Sequence, residues 1–318
     1  MESVYEILPV QIKRTTEKKQ WLELRLEEIR FRVNMPLLAE AGGEEWYIDT
    51  RRKCLAPCKC RTVPGEALIV RKEMLNELLN GLSRNSMYAY QNEMQQGFFT
   101  FQGGHRIGIC GKVISEQGKI KGVTGICYVN IRIARECPGC AKDLIPFLHD
   151  SERRYLSTLI FSVPGAGKTT LLRDCIRLLS NGCGPYRGKK ISVVDERGEI
   201  AGCFRGVPQK DIGMRSDILD GGKKSEAMLF LLRSMSPEII AMDELGGPED
   251  YEALRQMVYS GCSVLATVHA SCIDELMEKE QMARWIREKK FRRFVQVEKK
   301  EDGSRQYFIY DGDMKRLC

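Results

Sequence analysis

No stretch of this 318-residue chain is apolar over the ~20 consecutive residues that crossing a bilayer requires. Its opening, MESVYEILPVQIKRTTEKKQ, lacks the apolar core of a secretory signal, so the expectation is a protein made and kept in the cytoplasm. No internal repeat or low-complexity tract is visible, which sets aside solenoid arrays and compositionally biased linkers. Neither sign of charge dominates. Fifty Lys and Arg against 43 Asp and Glu leave +7, a balance that permits contact with nucleic acid or an acidic surface and requires neither. A recognisable nucleic-acid module is also missing, as is a stripe of interleaved aromatic and basic residues; no specific nucleic acid is expected as a partner.

What is present describes an ordinary globular protein, 43% hydrophobic and 29% charged, long enough for two domains with separate cores. Thirteen cysteines are many, but most stand singly in apolar contexts (Cys110, Cys175, Cys262). Without an export signal, reduced thiols are the default reading. Two clusters raise the question of zinc: Cys54, Cys58 and Cys60 are irregularly spaced, whereas Cys137-x-x-Cys140 has the spacing of a metal knuckle. Loop thiols remain the preferred reading of both. KKFRRFVQVEKK (289–300) has the charge to meet an acidic partner, but its alternation suits a solvated strand face.

Residues 151–318 alternate strand and helix. Short apolar runs at 158–161, 191–194, 238–242 and 263–269 are separated by helical patterns after 168 and at 225–235 and 251–261. Such alternation implies a parallel sheet with helices on both faces. Near the end, Glu301-Asp302-Gly303-Ser304 sits between two alternating runs, a hairpin signal. The first ~145 residues have a different texture, as a separate domain of usual size would. Strands are expected near EEIRFRV and EALIV, and Gly103-Gly104 reads as a turn between FFTFQ and RIGIC. The expected division is 1–145, mixed α+β, and 146–318, α/β.

In an open parallel sheet, ligands bind beyond the carboxyl ends of the strands. The first strand of the second half ends in Ser162-Val163-Pro164-Gly165-Ala166-Gly167-Lys168-Thr169-Thr170, a phosphate-binding loop missing one glycine. The usual pattern is G-x-x-x-x-G-K-[ST], and Ser162 stands where its first glycine belongs. Serine is small, and Pro164 and Gly165 supply the turn and the permissive backbone. Lys168 is then a charge for the β and γ phosphates of ATP and Thr169 a hydroxyl for Mg²⁺. Asp195-Glu196 closes the second strand and Asp243-Glu244 the third. Asp195 and Asp243 are candidate Mg²⁺ ligands, and Glu196 or Glu244 is placed to activate water. The last strand ends in Thr267-Val268-His269, with His269 the candidate γ-phosphate sensor.

With those motifs placed, the second half resembles the secretion ATPase superfamily, the hexameric motors of type II and type IV secretion and pilus assembly. VVDERGEI resembles its acidic box, LLRSMSPEIIAMDEL its Walker B region with Arg233 just upstream, and SGCSVLATVHA its histidine box. Adding EEIRFRVNMPL, SMYAYQNEMQQGFFTFQGGHRIGICGKV, NIRIARE and MDELGGPED, the chain from about residue 25 to about residue 275 resembles a stage III sporulation family of endospore-forming bacteria. That resemblance implies a RecA-like P-loop NTPase domain behind the smaller α+β domain. It implies ATP and Mg²⁺ as cofactors and a homo-oligomeric, hexameric ring. It further implies a mother-cell ATPase held at the membrane by membrane proteins of the sporulation channel complex. Arg106, Arg132 and, more weakly, Arg135 fall where secretion ATPases keep arginines that reach the nucleotide from the N-terminal domain. The plainer reading is strand-edge surface charge. Arg233 would pair with an acidic box, and His105 is more simply a hairpin histidine than a pocket residue. One departure is Asp243-Glu244, where the superfamily often has Gly-Glu. Two other functions compete with a motor: a nucleic-acid-dependent ATPase, and a nucleotide-gated scaffold with little turnover.

Overall fold

The computed structural model describes residues 1–58, 65–83, 97–116, 118–300 and 303–318. The chain forms two compact units, Met1–Arg135 and Glu136–Cys318. The division comes ten residues before the expected 145/146. The reason is packing: Ala141, Leu144, Ile145 and Leu148 are buried in the core of the second unit, and the Ala141 N–H donates to Asp174 Oδ2 at 2.8 Å.

Among the described residues of the first unit, seven strands, including β2 (Leu38–Ala41), β3 (Glu44–Asp49) and β4 (Cys54–Pro57), form an antiparallel sheet in the order β4-β3-β2-β1-β7-β6-β5. Its central members are β1 (Leu26–Arg32), β7 (Lys119–Arg132) and β6 (His105–Glu116). β1 buries Ile29 and Phe31 while Arg30 and Arg32 alternate with them, the period of a strand with one covered face. β5 (Phe98–Phe101) turns into β6 through Gly103 and Gly104, both at positive φ, as a tight hairpin demands. The expected strand at EALIV is not one. Ala67 bridges Asp49 and Ile69 bridges Pro36, so this segment stitches between two neighbours through isolated bridges and backbone hydrogen bonds to both.

The second unit has the expected parallel sheet, which runs from the edge strand β10 (Ser216–Asp220) to β13 (Arg293–Lys299) and β14 (Arg305–Asp311) in the order β10-β9-β11-β12-β8-β13-β14; among the described residues only β14 is antiparallel. β8 (Thr158–Ser162), β9 (Ile191–Asp195), β11 (Ile239–Met242) and β12 (Ser263–His269) are the apolar runs read from sequence. Successive residues point to opposite faces, so Ile160 joins one core and its neighbours Leu159 and Phe161 the other. The first core holds the helix Lys168–Asn181 through Leu171, Leu172, Cys175, Ile176 and Leu179. Gly182, at φ 86°, ends that helix. The second core is closed by the helices Lys224–Met235 and Pro248–Tyr259 and by Trp285.

Two strands depart from expectation. β10 (Ser216–Asp220) had no apolar signal because it is a half-exposed edge strand. β13 (Arg293–Lys299), read as a solvated face, buries Phe294, Val295, Gln296 and Val297 because it lies between β8 and β14. The hairpin residues Glu301 and Asp302, most of SMYAYQNEMQQG, and Cys60 lie outside the described residues. Among the described residues, no helix is long and apolar enough to cross a membrane.

Full burial of Phe161 in the central strand sets a stability test. Phe161→Ala should cost about 3–5 kcal/mol, read as a lower denaturant midpoint for the second unit. Met214→Ala, at a side chain that is 77% exposed, should stay within about 0.5 kcal/mol.

Candidate nucleotide site

The loop after β8 explains how Ser162 replaces a glycine. Only Gly165 (φ 76°) and Gly167 (φ 107°) take left-handed backbone in this loop. Ser162 is the last residue of β8, in parallel register with His269, and its backbone needs no glycine. Its side chain has work as well. The Ser162 hydroxyl donates to the Val163 carbonyl at 2.8 Å and accepts from Lys168 Nζ at 3.3 Å.

Lys168 opens the following helix and is 5% exposed. Its ammonium donates to the Ser162 carbonyl at 3.1 Å, the Val163 carbonyl at 3.3 Å and His269 Nδ1 at 2.9 Å. Burial lowers its pKa from the ordinary lysine value, and the charges of Asp243 and Glu244 oppose that shift. Thr169, one residue on, donates its hydroxyl to Asp243 Oδ2 at 2.6 Å. Asp243 also accepts from the Thr267 hydroxyl. A hydroxyl and a carboxylate side by side at a phosphate loop are the protein ligands that Mg²⁺ takes when phosphates and waters complete its shell.

Glu244 carries the local strain. It is a non-glycine residue at φ 52°, over-determined by its surroundings: its N–H donates to Thr267 Oγ1 at 2.9 Å, and its carbonyl accepts from Lys224 Nζ at 2.7 Å. Its carboxylate lies between His269 Nε2 and Arg197 Nη1, each at 2.8 Å. Burial works to raise its pKa, but the His269 hydrogen bond and the Arg197 and Lys224 charges outweigh it, leaving the carboxyl below its ordinary value. With Lys168 donating to Nδ1, His269 retains the Nε2–H that it gives to Glu244. Glu196 lines the same cleft and pairs with Lys224 Nζ at 3.3 Å.

Asp195, expected as a metal ligand, lines the same cleft as Glu196 and Asp243, is 2% exposed, and has both oxygens engaged by its own loop. Oδ1 accepts from the N–H groups of Glu199 (2.8 Å) and Ile200 (3.0 Å), and Oδ2 from Ala201 (2.8 Å). These bonds fold residues 196–201 around its carboxylate.

The remaining expectations divide. In the first unit, Arg106 and Arg132 are register partners on β6 and β7, and the Arg106 guanidinium stacks 3.4 Å from the Phe98 ring centroid. Arg135 is structural, donating to the Leu26 carbonyl at 2.7 Å and pairing with Glu27. Arg233 bonds the Leu229 carbonyl of its own helix and no acidic box among the described residues. His105 is a satisfied core histidine whose Nδ1 accepts the Ala134 N–H at 3.0 Å. Cys137 and Cys140 flank a Pro138-Gly139 turn, and among the described residues no group of three metal-ligating side chains forms. Thr170, Cys137 and Arg173 line a small hollow beside the loop helix. Sequence reasoning missed Lys224, 7% exposed, which ties Glu196 to the Glu244 backbone. Nothing in GGKKSEAM distinguishes it from Lys223.

If Asp195 organises its loop, Asp195→Asn removes one of the acceptors of three buried N–H groups and should cost about 1–3 kcal/mol. Thermal unfolding measures this, and a variant as stable as the parent would return Asp195 to the metal-ligand role.

Three comparisons bear on this site. The family described as "Sporulation stage III, protein AA" matches residues 1–317. Stage III sporulation protein AA of Bacillus subtilis (strain 168) is 38% identical over 316 residues, covering 98% of this chain and 96% of that one. Among solved structures, the Legionella pneumophila ATPase DotB aligns with a TM-score of 0.57 at 17% identity, covering 95% of this chain and 80% of DotB. The pilus retraction motor PilT, solved with bound ADP, aligns with a TM-score of 0.58 at 14% identity, covering 94% and 81%. At those identities the likeness is one of fold, the RecA-like P-loop fold of secretion ATPases. By the full-length match and the identity to its Bacillus relative, this chain belongs to the sporulation stage III protein AA family.

Proposed function

We propose that this chain is an ATPase that binds Mg·ATP at the carboxyl edge of the parallel sheet. Its hydrolysis would energise a secretion-like membrane complex between mother cell and forespore. The observation that carries this reading is the meeting of Lys168 and Thr169 with Asp243, Glu244 and His269, drawn from three strand ends. Ser162 to Thr170 would surround the phosphates, with the N-terminus of the following helix favouring their charge. Lys168 supplies a cation, and Thr169 and Asp243 hold the magnesium. When bound, that ion neutralises charge on the phosphate oxygens. Glu244, kept ionised, orients the attacking water, and Glu196 stands behind it as the second carboxylate.

His269 would couple the two halves of the chemistry, since it touches the phosphate-loop lysine and the water-orienting carboxylate at once. In the same reading the chain works as a hexameric ring of two-domain subunits. Arg106 or Arg132 of the first unit stabilises charge developing on the γ phosphate. The ring is cytoplasmic and held at the membrane by partner proteins of the sporulation channel. One observation favours a slower, scaffold-like variant: Glu244 is engaged by both Arg197 and His269. Turnover by the isolated chain no faster than that of Glu244→Gln would select it.

Lys168→Ala removes a charge-assisted contact and should weaken ATP binding roughly 10- to 100-fold, measured by calorimetry with magnesium. Glu244→Gln should keep ATP affinity while slowing hydrolysis about 100-fold or more in a phosphate-release assay. Full activity in both variants would refute the assignment.

A further inference from the structure

The phosphate loop is held by a second cation, from the far end of the chain. Arg305 is the first residue of β14 (Arg305–Asp311), opposite Lys299 at the end of β13. Because β13 runs parallel to β8, the hairpin returns β14 to the sheet at the edge where β8 releases its loop. From there the Arg305 side chain crosses to the loop, and its Nε donates to the Ala166 carbonyl at 3.0 Å. The guanidinium also fills the space beside Gly167 that a Cβ would occupy. Gly167 is therefore glycine for two reasons, its φ of 107° and the arginine packed against it.

The peptide between Ala166 and Gly167 is planar and trans, so its carbonyl and its N–H point in opposite directions. A donor that fixes the carbonyl on one side fixes the Gly167 N–H on the other. Lys168 ties the start of the loop at Ser162 and Val163, while Arg305 ties its end at Ala166. Among the described residues, Arg305 has no carboxylate partner that would hold it elsewhere, and the Ala166 carbonyl is the acceptor its side chain takes. An arginine suits the task because Nε can keep the carbonyl while the planar fork lies flat over the glycine.

We infer that Arg305 is a positioning residue for the phosphate chain of the nucleotide: it aims the Gly167 N–H into the loop and makes phosphate affinity depend on the C-terminal hairpin. The inference rests on the nucleotide reading of the loop and goes beyond it by adding a residue outside every nucleotide motif.

The test compares the parent chain with Arg305→Ala, Arg305→Lys and Lys168→Ala, titrated with Mg·ATP and with pyrophosphate, a probe that carries phosphates without a base. Arg305→Ala should weaken both about tenfold, the loss of one well-placed hydrogen bond to phosphate, while keeping the parent's melting temperature within a few degrees. Arg305→Lys, which can still donate to the Ala166 carbonyl, should recover most of that affinity. Unchanged binding of both probes by Arg305→Ala would overturn the inference, as would a loss confined to ATP. A lower melting temperature with intact pyrophosphate affinity would overturn it too, leaving Arg305 a brace for the fold alone. If the parent binds neither probe, the nucleotide reading itself fails. If the parent binds and only Lys168→Ala is impaired, that reading stands without Arg305.

Discussion

The site depends on one short hydrogen bond, from the Thr169 hydroxyl to Asp243 at 2.6 Å. The two residues leave strands β8 and β11, which are not neighbours: β12 runs between them. With strands spaced about 4.8 Å apart, the loop must lean across a whole strand to make that bond. Thr267 of β12 closes the gap by donating to the same carboxylate and receiving the Glu244 N–H. β12 serves again two residues later, where His269 spans Lys168 and Glu244. A parallel sheet makes this possible because every strand releases its chain at the same edge.

Charge at that edge is arranged in alternation. Arg197 pairs with Glu244 and Lys224 with Glu196, while Lys168 feels the charges of Asp243 and Glu244 without bonding to either. Burial alone would favour neutral forms of both Lys168 and Glu244. Their neighbours resist that tendency for the lysine and reverse it for the glutamate. The positive φ of Glu244 fits the same picture. Four groups fix its backbone and carboxylate, and such over-determination is what allows a costly conformation to persist.

Much of the second unit was legible because buried parallel strands are short continuous apolar runs, and TLIF, ISVV, EIIAM and SVLATVH are such runs. β10 was not legible, since SDILD is an edge strand with little to bury. β13 was misread because its flanking lysines and arginines suggest a solvated face, whereas its burial comes from a place between β8 and β14. The site shows the same limit more sharply. Asp195-Glu196 and Asp243-Glu244 are the same dipeptide at the same place after a strand. One aspartate turns back onto three amides of its own loop, and the other meets hydroxyls from two other segments.

The sequence by itself determined the parallel sheet, the glycine-containing loop after its first strand with its substituted serine, and the strand ends that meet at one edge. Each of these is written in local patterns of apolar period, glycine placement and motif spacing. Only the tertiary structure decided which aspartate meets the Thr169 hydroxyl and that Lys224 braces the acidic strand ends. It also decided that Arg305 reaches the loop across 139 residues of chain. The physical reason is that a carboxylate or a cation takes its role from whichever partner lies within about 3 Å, and strand order, not sequence neighbourhood, sets that distance.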